Sequence, residues 1–404
     1  MNIFVINSGS SSIKYQLISM PAATIICNGL VERIGLGNAI IIHKTFIENK
    51  EHVITKHEAI IDHAMGLQAV TQLLTDKHIG VITDPSQIDV VGHRVVHGGE
   101  TFAATTIITP AVQEEIKKLF PLAPLHNPAN YVGIEIAQKI FSSAMQIAVF
   151  DTAFNNTLPP KAYRYAIASN FYTTHGIRAY GFHGTSHKYV SAQAINYIGN
   201  PAISKIITIH LGNGCSIAAI NNGKCVDTSM GLGPMNGLIM GTRCGDIDQS
   251  VIFYLVDQLG YDIETVNNIL NKKSGMFGLT GFSDMRDIKK EIEKGNTEAM
   301  LAYEMYAYRI RKYIGAYIAV LNGIDAIVFT GGVGENDDLI RKMITDEFDY
   351  IGIQIDAKKN TVRTKKILEI STTNASVKIL VIPTNEELEI AEQCYNLLTF
   401  SSTK

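Results

Sequence analysis

A strand–turn–strand pattern that occurs twice, about half the chain apart, limits the possible folds more than any other feature of this sequence. Near the start, the apolar run 3–6 leads into the small-residue turn 8–11 and then into a second apolar segment. In the middle, the apolar run 206–209 leads into the turn 212–214 in the same way, and a further turn follows at 221–223. Similar units at this distance indicate a duplicated domain rather than a tandem array of short repeats.

Strand-like segments alternate with helix-like segments along the chain, which indicates an α/β fold. The segment 53–74 has apolar residues at helical spacing and predicts a helix. Asn127 followed by Pro128 predicts the start of another helix, with Asn127 as its cap. Thr384 and Glu387 fit a capping box in front of a C-terminal helix.

Length and composition describe an ordinary globular protein with two domains. The chain has 404 residues, 46% of them apolar and 18% charged, and we place the domain boundary near Asp151. The net charge of −3 does not favour a nucleic-acid partner. Five scattered cysteines without a CxxC pair indicate reduced thiols, and no apolar run has the length of a membrane span. These features predict a cytoplasmic enzyme without a membrane partner.

Three turns of small residues, each after an apolar strand, form a candidate phosphate site: 8–12, 212–214 and 331–334. Exposed backbone N–H groups in such turns bind anions, and the lack of side chains lets a phosphate approach closely. The sequence has neither a Walker A motif nor a complete dinucleotide fingerprint. Each turn alone is also compatible with a plain hairpin or helix start. Together they favour a nucleotide phosphate clamp between two related domains.

Two pairs of histidines four residues apart, His93 with His97 and His183 with His187, raise the question of a zinc site. Neither pair has the glutamate of an HExxH motif or a nearby cysteine ligand. Zinc is therefore the weaker interpretation. We expect His93, His97 and His187 to be structural residues.

Arg94 and Arg243 stand beside glycines in segments that otherwise have the pattern of buried chain. A buried guanidinium needs a partner, and its forked geometry suits a carboxylate or a phosphoryl group. An internal salt bridge is the alternative to a substrate contact, and the residues alone leave both open.

Nine segments stand in the order and approximate spacing of the acetate kinase (acetokinase) family, and the resemblance extends from about residue 2 to about residue 394. They are VINSGSSSIK, GHRVVHGGE, APLHNP, VFDTAF, YGFHGTSHKYV, IHLGNGCSI, MGTRCGDID, FTGGVGEN and PTNEE. The resemblance implies two duplicated ribonuclease-H-like domains of the actin, sugar-kinase and Hsp70-like superfamily, with an interdomain nucleotide cleft. It implies domains at 1–151 plus about 387–404, and at 152–386.

The resemblance also implies a chemistry: Mg-dependent, reversible and direct in-line phosphoryl transfer from ATP to acetate, giving acetyl phosphate and ADP. Arg94 would hold the substrate carboxylate, and His183 and Arg243 would lie at the transferred phosphoryl group. Asp151 would orient the arginines and balance their charge.

The family pattern implies a nucleotide and metal site as well. Asn7 and Glu386 match its contacts to Mg²⁺, with Mn²⁺ as a possible substitute. The matching positions for ATP or ADP are Lys14, His210, Leu211, Gly212, Asn213, Gly214, Asp284, Met285, Arg286, Gly332, Val333, Gly334, Glu335 and Asn336.

The substrate acid would occupy a small pocket formed by Val96, Leu125, Phe182 and Pro234, with His126 lining the site. Valine at position 96 fills the space of an extra methylene, which favours acetate over propionate. Propionate kinase remains the close alternative. An actin-like or Hsp70-like ATPase module without acid-kinase activity is the alternative from another class. The resemblance further implies a homodimer.

Overall fold

The chain folds into two compact units in the computed structural model, which describes residues 1–47, 50–199 and 204–400. The first unit comprises Met1–Ala153 and Asn385–Lys404, and the second comprises Phe154–Thr384. Residues 401–404, the end of the tail assigned to the first domain, lie outside the described residues.

The described strands are β1 (Asn2–Ser8), β2 (Ser12–Ser19), β3 (Thr24–Glu32), β4 (Ala39–Ile47), β5 (Lys50–Glu58), β6 (Val90–Val95), β7 (Thr106–Ile107), β8 (Met145–Phe150), β9 (Lys205–Leu211), β10 (Cys215–Asn221), β11 (Lys224–Thr228), β12 (Ala326–Thr330), β13 (Leu368–Glu369) and β14 (Lys378–Val381). The described helices are α1 (His63–Leu74), α2 (Pro110–Lys118), α3 (Asn127–Ile140), α4 (Pro160–Tyr163), α5 (Asn170–His175), α6 (Gly184–Ile198), α7 (Ser250–Asp257), α8 (Ile263–Lys272), α9 (Gly275–Thr280), α10 (Met285–Glu293), α11 (Thr297–Leu321), α12 (Gly331–Asn336), α13 (Asp338–Thr345), α14 (Ala357–Asn360) and α15 (Glu386–Phe400). None of these helices has the length and apolar character that would let it cross a membrane.

Each unit is built around one mixed sheet, and the two sheets share a central arrangement. The first has the order β5-β4-β3-β2-β1-β6-β8-β7, and the second has the order β11-β10-β9-β12-β14-β13. In both, an antiparallel meander of three strands adjoins two parallel strands. The α/β class and the duplication expected from the sequence are therefore confirmed.

The centre of the first strand, residues 3–6, is apolar because both faces of its sheet are covered. Phe4 and Ile6 point into a core that α1 and α3 complete, whereas Ile3 and Val5 point into a core with α15. This alternation follows the two-residue period of a strand. It explains why α15, at the end of the chain, belongs to the first unit.

The predicted helix at 53–74 is wrong in its first part. Residues Lys50–Glu58 form β5, which pairs with β4, and the helix begins only at His63 with Asp62 as its cap. The β-branched residues Val53, Ile54 and Thr55 fit an extended strand better than a helix. Strand pairing thus prevails over the helical spacing in this segment.

Two of the predicted helix caps are also wrong. α3 begins at Asn127 itself, and the Asn127 side chain bonds to the backbone of His97 instead of capping the helix. α15 begins at Glu386, where Asn385 accepts a hydrogen bond from the N–H of Leu388. The hydroxyl of Thr384 lies 2.9 Å from that of Ser186. In both cases the side chain that the local pattern predicts as a helix cap forms a hydrogen bond with a distant residue instead.

Candidate active site

In the first unit, the parallel strands β6 and β8 bring Arg94 and Asp151 together. Arg94 pairs in register with Val149, so the strand end places Asp151 beside it, and the two side chains bond at 2.9 Å. Asp151 is 1% exposed, and the Arg94 side chain is 16% exposed. A buried carboxylate needs such a partner, because isolated charge is costly in a low-dielectric interior.

Glu386 is a second carboxylate near the same guanidinium. Its Oε2 lies 3.8 Å from Nε of Arg94. Burial alone would lower the pKa of Arg94, but the carboxylates of Asp151 and Glu386 raise it above its ordinary value. Burial raises the pKa of Glu386, with the Arg94 charge acting in the opposite direction. Arg94 is thus firmly cationic between two acidic groups.

Two asparagines of α3 hold the ends of β1 and β6 in place. Asn130 accepts a hydrogen bond from the N–H of Val96 at 3.0 Å and donates one to the carbonyl of Ser8 at 2.6 Å. Asn127 bonds to both the N–H and the carbonyl of His97. Gly133 permits this approach, since a Cβ there would lie 2.9 Å from that of Ser8. α3 therefore holds the end of β1 and the end of β6 together.

The expected metal contacts, Asn7 and Glu386, belong to β1 and to the first turn of α15. These two elements pack through Val5 and Ile390. Their amide and carboxylate oxygens are ligands that suit Mg²⁺, which retains several waters and is often held partly by substrate phosphates. In the described part of the chain, no group of three or more His, Cys, Asp or Glu side chains could hold a metal ion. Asn7 and Glu386 therefore fit a magnesium site whose other ligands would be water and substrate phosphate, rather than a site made only of protein ligands.

In the second unit, His183 and Arg243 converge on Gly214. A Cβ built on Gly214 would lie 3.2 Å from Nε2 of His183 and 2.9 Å from NH2 of Arg243. His183 caps α6 in the left-handed conformation, with φ of 57°. Arg243 also donates to the carbonyl of Pro234 at 2.5 Å, and burial lowers its pKa. The absence of a side chain at position 214 therefore lets two donor groups meet.

The second unit also contains a cavity of about 760 Å³, large enough for a nucleotide. It is lined from three sides by the β9–β10 turn, by one side of α10 with the two residues before it, and by the helix α12. Of the residues expected to bind ATP, it brings together Gly212, Asn213, Asp284, Met285, Arg286, Gly332, Val333 and Asn336. Arg286 bonds to Asp284 and lowers the pKa of that carboxyl to about 2.

The chain matches the model of the acetokinase family over residues 2–392. It belongs to the acetokinase family. An acetate kinase from Flavobacterium johnsoniae is 57% identical over 398 residues, covering 98% of this chain and 100% of that protein.

Two solved structures resemble this acetokinase closely. The crystal structure of Porphyromonas gingivalis acetate kinase has a TM-score of 0.92 and 42% identity, covering 98% of this chain and 100% of that one. A propionate kinase from Francisella tularensis has a TM-score of 0.90 and 41% identity, covering 97% of this chain and 98% of that one.

Some of the predicted site residues of this acetokinase do not line the cavity. Lys14 pairs with Glu387 at 2.6 Å in the first unit. Glu335 accepts hydrogen bonds from the N–H groups of Gly331 and Thr384, and burial raises its pKa. The remaining ones are His210, Leu211, Gly214 and Gly334, which belong to β9, to the turn that follows it or to α12.

The expected acid-pocket residues differ in exposure. Val96 and Phe182 are buried, and His126 and Pro234 are half-buried. Leu125 is 62% exposed, so it can contact a ligand without being part of the core. His93 and His97 are buried and bonded to Gln146 and to the N–H of Gly99 respectively. Burial lowers the pKa of both histidines to about 4.

Sequence reasoning missed several residues of the nucleotide region in this acetokinase. Lys289, Lys290 and Glu293 line the cavity together with Arg286. They follow Arg286 at intervals of three, four and seven residues, so the helical spacing from Arg286 could have indicated them. Arg341 is fully buried and bonds to the carbonyl of Gly334 and to Asn360. Burial lowers its pKa to about 10. No local signal distinguishes Arg341 from a surface arginine of α13.

Proposed function

We propose that this acetokinase transfers the γ-phosphoryl group of ATP to acetate, giving acetyl phosphate and ADP. The observation that carries the proposal is the meeting of His183 and Arg243 at Gly214, in the same turn whose Gly212 and Asn213 line the cavity of about 760 Å³. Cationic and N–H donors beside a nucleotide-sized cavity are what phosphoryl transfer requires.

The reaction needs no general base. Acetate is ionised near neutral pH, so one carboxylate oxygen attacks the γ-phosphorus directly while the bond from that phosphorus to the ADP oxygen breaks. The barrier includes repulsion between an anionic nucleophile and an anionic phosphate. Arg94 would bind and orient the carboxylate, and His183 and Arg243 would stabilise charge on the phosphoryl group. Asp151 would position Arg94 and balance its charge.

A bound divalent ion would complete the charge balance. We propose that Asn7 and Glu386 contact Mg²⁺, directly or through water, and that Mn²⁺ can replace it. The ion supplies positive charge to the phosphate oxygens when bound. The cavity residues Asp284, Met285 and Arg286 would contact the base or ribose. The turn 212–214 and residues 332–336 of α12 would contact the phosphates. Lys14 would contact the nucleotide phosphates.

We expect the enzyme to prefer acetate, with propionate as a weaker substrate. Val96 would fill the space of the additional methylene, which is worth about 10-fold or more in discrimination. The test is ATP, Mg²⁺ and each acid with hydroxylamine, which traps an acyl phosphate as its hydroxamate. Val96→Ala is expected to raise the propionate-to-acetate ratio of kcat/KM by about tenfold.

Val95→Ala is the matched control, because Val95 precedes Val96 directly and points into the core with Phe102 and Ile134. It should lower stability and leave the ratio unchanged. An unchanged ratio in Val96→Ala would remove Val96 from the account. If the rate of ATP hydrolysis does not change when acetate is added, and no hydroxamate forms, the alternative of an ATPase module is favoured instead.

We further propose that two copies form a homodimer in the cytoplasm. All five cysteines are free thiols, as a reducing compartment would allow. α7 buries none of its own side chains, and Phe253 and Ile263 of the α7–α8 region are 66% and 68% exposed. An exposed apolar face of this kind is typical of an interaction surface, and a second copy is the occupant we propose.

Light scattering is expected to give twice the chain mass for the wild type and the chain mass for Phe253→Asp. Tyr350→Asp is the control, because Tyr350 is equally exposed but lies far along the chain from α7. A monomeric wild type would contradict the homodimer, and a dimer that survives Phe253→Asp would exclude α7 as its contact.

A further inference from the structure

The histidine at the proposed phosphoryl site belongs to a hydrogen-bonded chain that runs into the core of the second unit. Nδ1 of His183 lies 2.8 Å from the hydroxyl of Ser216. The same hydroxyl lies 2.7 Å from Nε2 of His187. Nδ1 of His187 lies 2.7 Å from the hydroxyl of Thr208. Thr208, Ser216 and His187 are all fully buried.

Local geometry explains why these four side chains meet. His183 and His187 are four residues apart, at the cap and in the first turn of α6, and therefore share one side of the helix. Thr208 and Ser216 belong to the antiparallel strands β9 and β10, where Ser216 pairs with His210 and Thr208 pairs with Ala218. Because side chains alternate along strands, Thr208, His210 and Ser216 all project from the same face.

Counting protons links the states of the two histidines. The Ser216 hydroxyl has one hydrogen, so it can donate to only one of the two ring nitrogens that face it, and when it does so the other nitrogen must donate to it. If Ser216 donates to His183, then Nε2–H of His187 donates to Ser216, and Thr208 donates to Nδ1 of His187. His183 then carries its own proton on Nε2. If His183 instead donates from Nδ1 to Ser216, Nε2 of the neutral His183 ring carries no proton.

The position of Nε2 decides which direction is useful. It lies beside Gly214 together with NH2 of Arg243, where the proposed function places an anionic phosphoryl group. An unprotonated nitrogen there would present a lone pair to negative charge. The ring of His183 also stacks on that of His210 with centroids 4.4 Å apart, which disfavours a positive charge on both rings.

We propose that Ser216 and His187 are positioning residues that hold His183 as the neutral tautomer with its proton on Nε2. Thr208 completes the chain by donating to His187. The neutral ring then donates to the phosphoryl group without a change in its own charge, and Arg243 supplies the positive charge. This inference rests on the proposed function, and it assigns a role to His187 beyond the structural one that the sequence suggests.

The test combines kinetics with nitrogen NMR of histidine-labelled protein, in which the two ring nitrogens report which of them is protonated. At about pH 8, where ordinary histidines are neutral, the wild type should show His183 with Nε2–H. The signal is assigned by its absence in His183→Gln. Ser216→Ala should mix the two tautomers and lower kcat by about 10- to 100-fold, as loss of a supporting hydrogen bond does elsewhere. KM for ATP should change by less than about twofold, since no nucleotide contact is removed.

Thr208→Val is a milder variant in case Ser216→Ala folds poorly, because valine keeps the shape of threonine and removes only the hydroxyl. It should shift the tautomers in the same direction with a smaller loss of kcat. Ser191→Ala is the control, because Ser191 is a buried serine of α6 that bonds to the carbonyl of Lys188. It should change neither the His183 signal nor kcat.

A wild type with Nδ1–H or with a doubly protonated His183 would overturn the inference, as would an unchanged tautomer in Ser216→Ala and Thr208→Val. Failure of the proposed function gives a different result, because the wild type itself would then make no acyl phosphate. The NMR result does not depend on activity, so the two failures can be told apart.

Discussion

Replacing Arg94 with glutamine is expected to lower kcat/KM for acetate by about 10³-fold, the upper range for loss of one charged donor at a transition state. Two effects act together: the acetate carboxylate loses its cationic partner, and the buried Asp151 carboxylate loses the guanidinium that lies 2.9 Å from it. The second effect should also lower the free energy of unfolding by about 3–5 kcal/mol. Acetate-dependent kinetics and thermal unfolding separate the two effects, provided that activity is measured well below the melting temperature.

Arg311→Gln is the matched control, because Arg311 also pairs with a carboxylate, Glu347, but at the surface. Its kcat/KM should stay within about twofold, as expected for an exposed pair. Near-normal acetate kinetics in Arg94→Gln would refute the assignment of Arg94 to the carboxylate.

The role of Asp151 is tested by two substitutions of the same residue. If it acts by orientation, Asp151→Asn should retain near-normal turnover, because the amide oxygen still accepts the hydrogen bond from Arg94. Asp151→Ala should lose most activity in either case. A similar loss in both variants would instead mean that the negative charge is essential.

The second large effect is expected at Gly214. Gly214→Ala places a methyl group 2.9 Å from NH2 of Arg243 and 3.2 Å from Nε2 of His183, so both donors must move. We expect kcat to fall by about 10²-fold, since His183 and Arg243 both lose their alignment with the phosphoryl group. Steady-state kinetics with saturating ATP and acetate measures this loss.

Gly315→Ala is the control for Gly214→Ala, because a Cβ at this glycine of α11 would meet no atom within 4 Å. It should leave kcat unchanged and stabilise the helix slightly. Unchanged turnover in Gly214→Ala would mean that His183 and Arg243 do not act from the positions seen here.

The sequence predicts the repeated core of this fold well, because it depends on local signals. Buried strands such as β1 and β9 contain clusters of apolar residues, and the small-residue turns that follow them can be recognised in the sequence. The cavity includes Gly212 and Gly332 from the motif segments and Asp284 from the family pattern, but the sequence does not predict Lys289 or Glu293 beside them.

The features that the sequence did not predict depend on contacts between distant segments. Asn127 has the local pattern of a helix cap, but its partner is His97, thirty residues away. Arg341 is buried where its guanidinium bonds to the carbonyl of Gly334 and to Asn360, nineteen residues away. The chain from Thr208 to His183 requires the register of β9 and β10 in addition to helical spacing. Such partners are set by tertiary packing, which a pattern of neighbouring residues does not encode.

The most direct measurement is phosphorus NMR of the purified chain in both directions of the proposed reaction. With ATP, Mg²⁺ and acetate, we predict equal amounts of acetyl phosphate and ADP, and with acetyl phosphate and ADP we predict ATP. Without acetate, ATP should persist. Release of inorganic phosphate and ADP at the same rate with and without acetate, and no acyl phosphate signal, would contradict the proposed transfer.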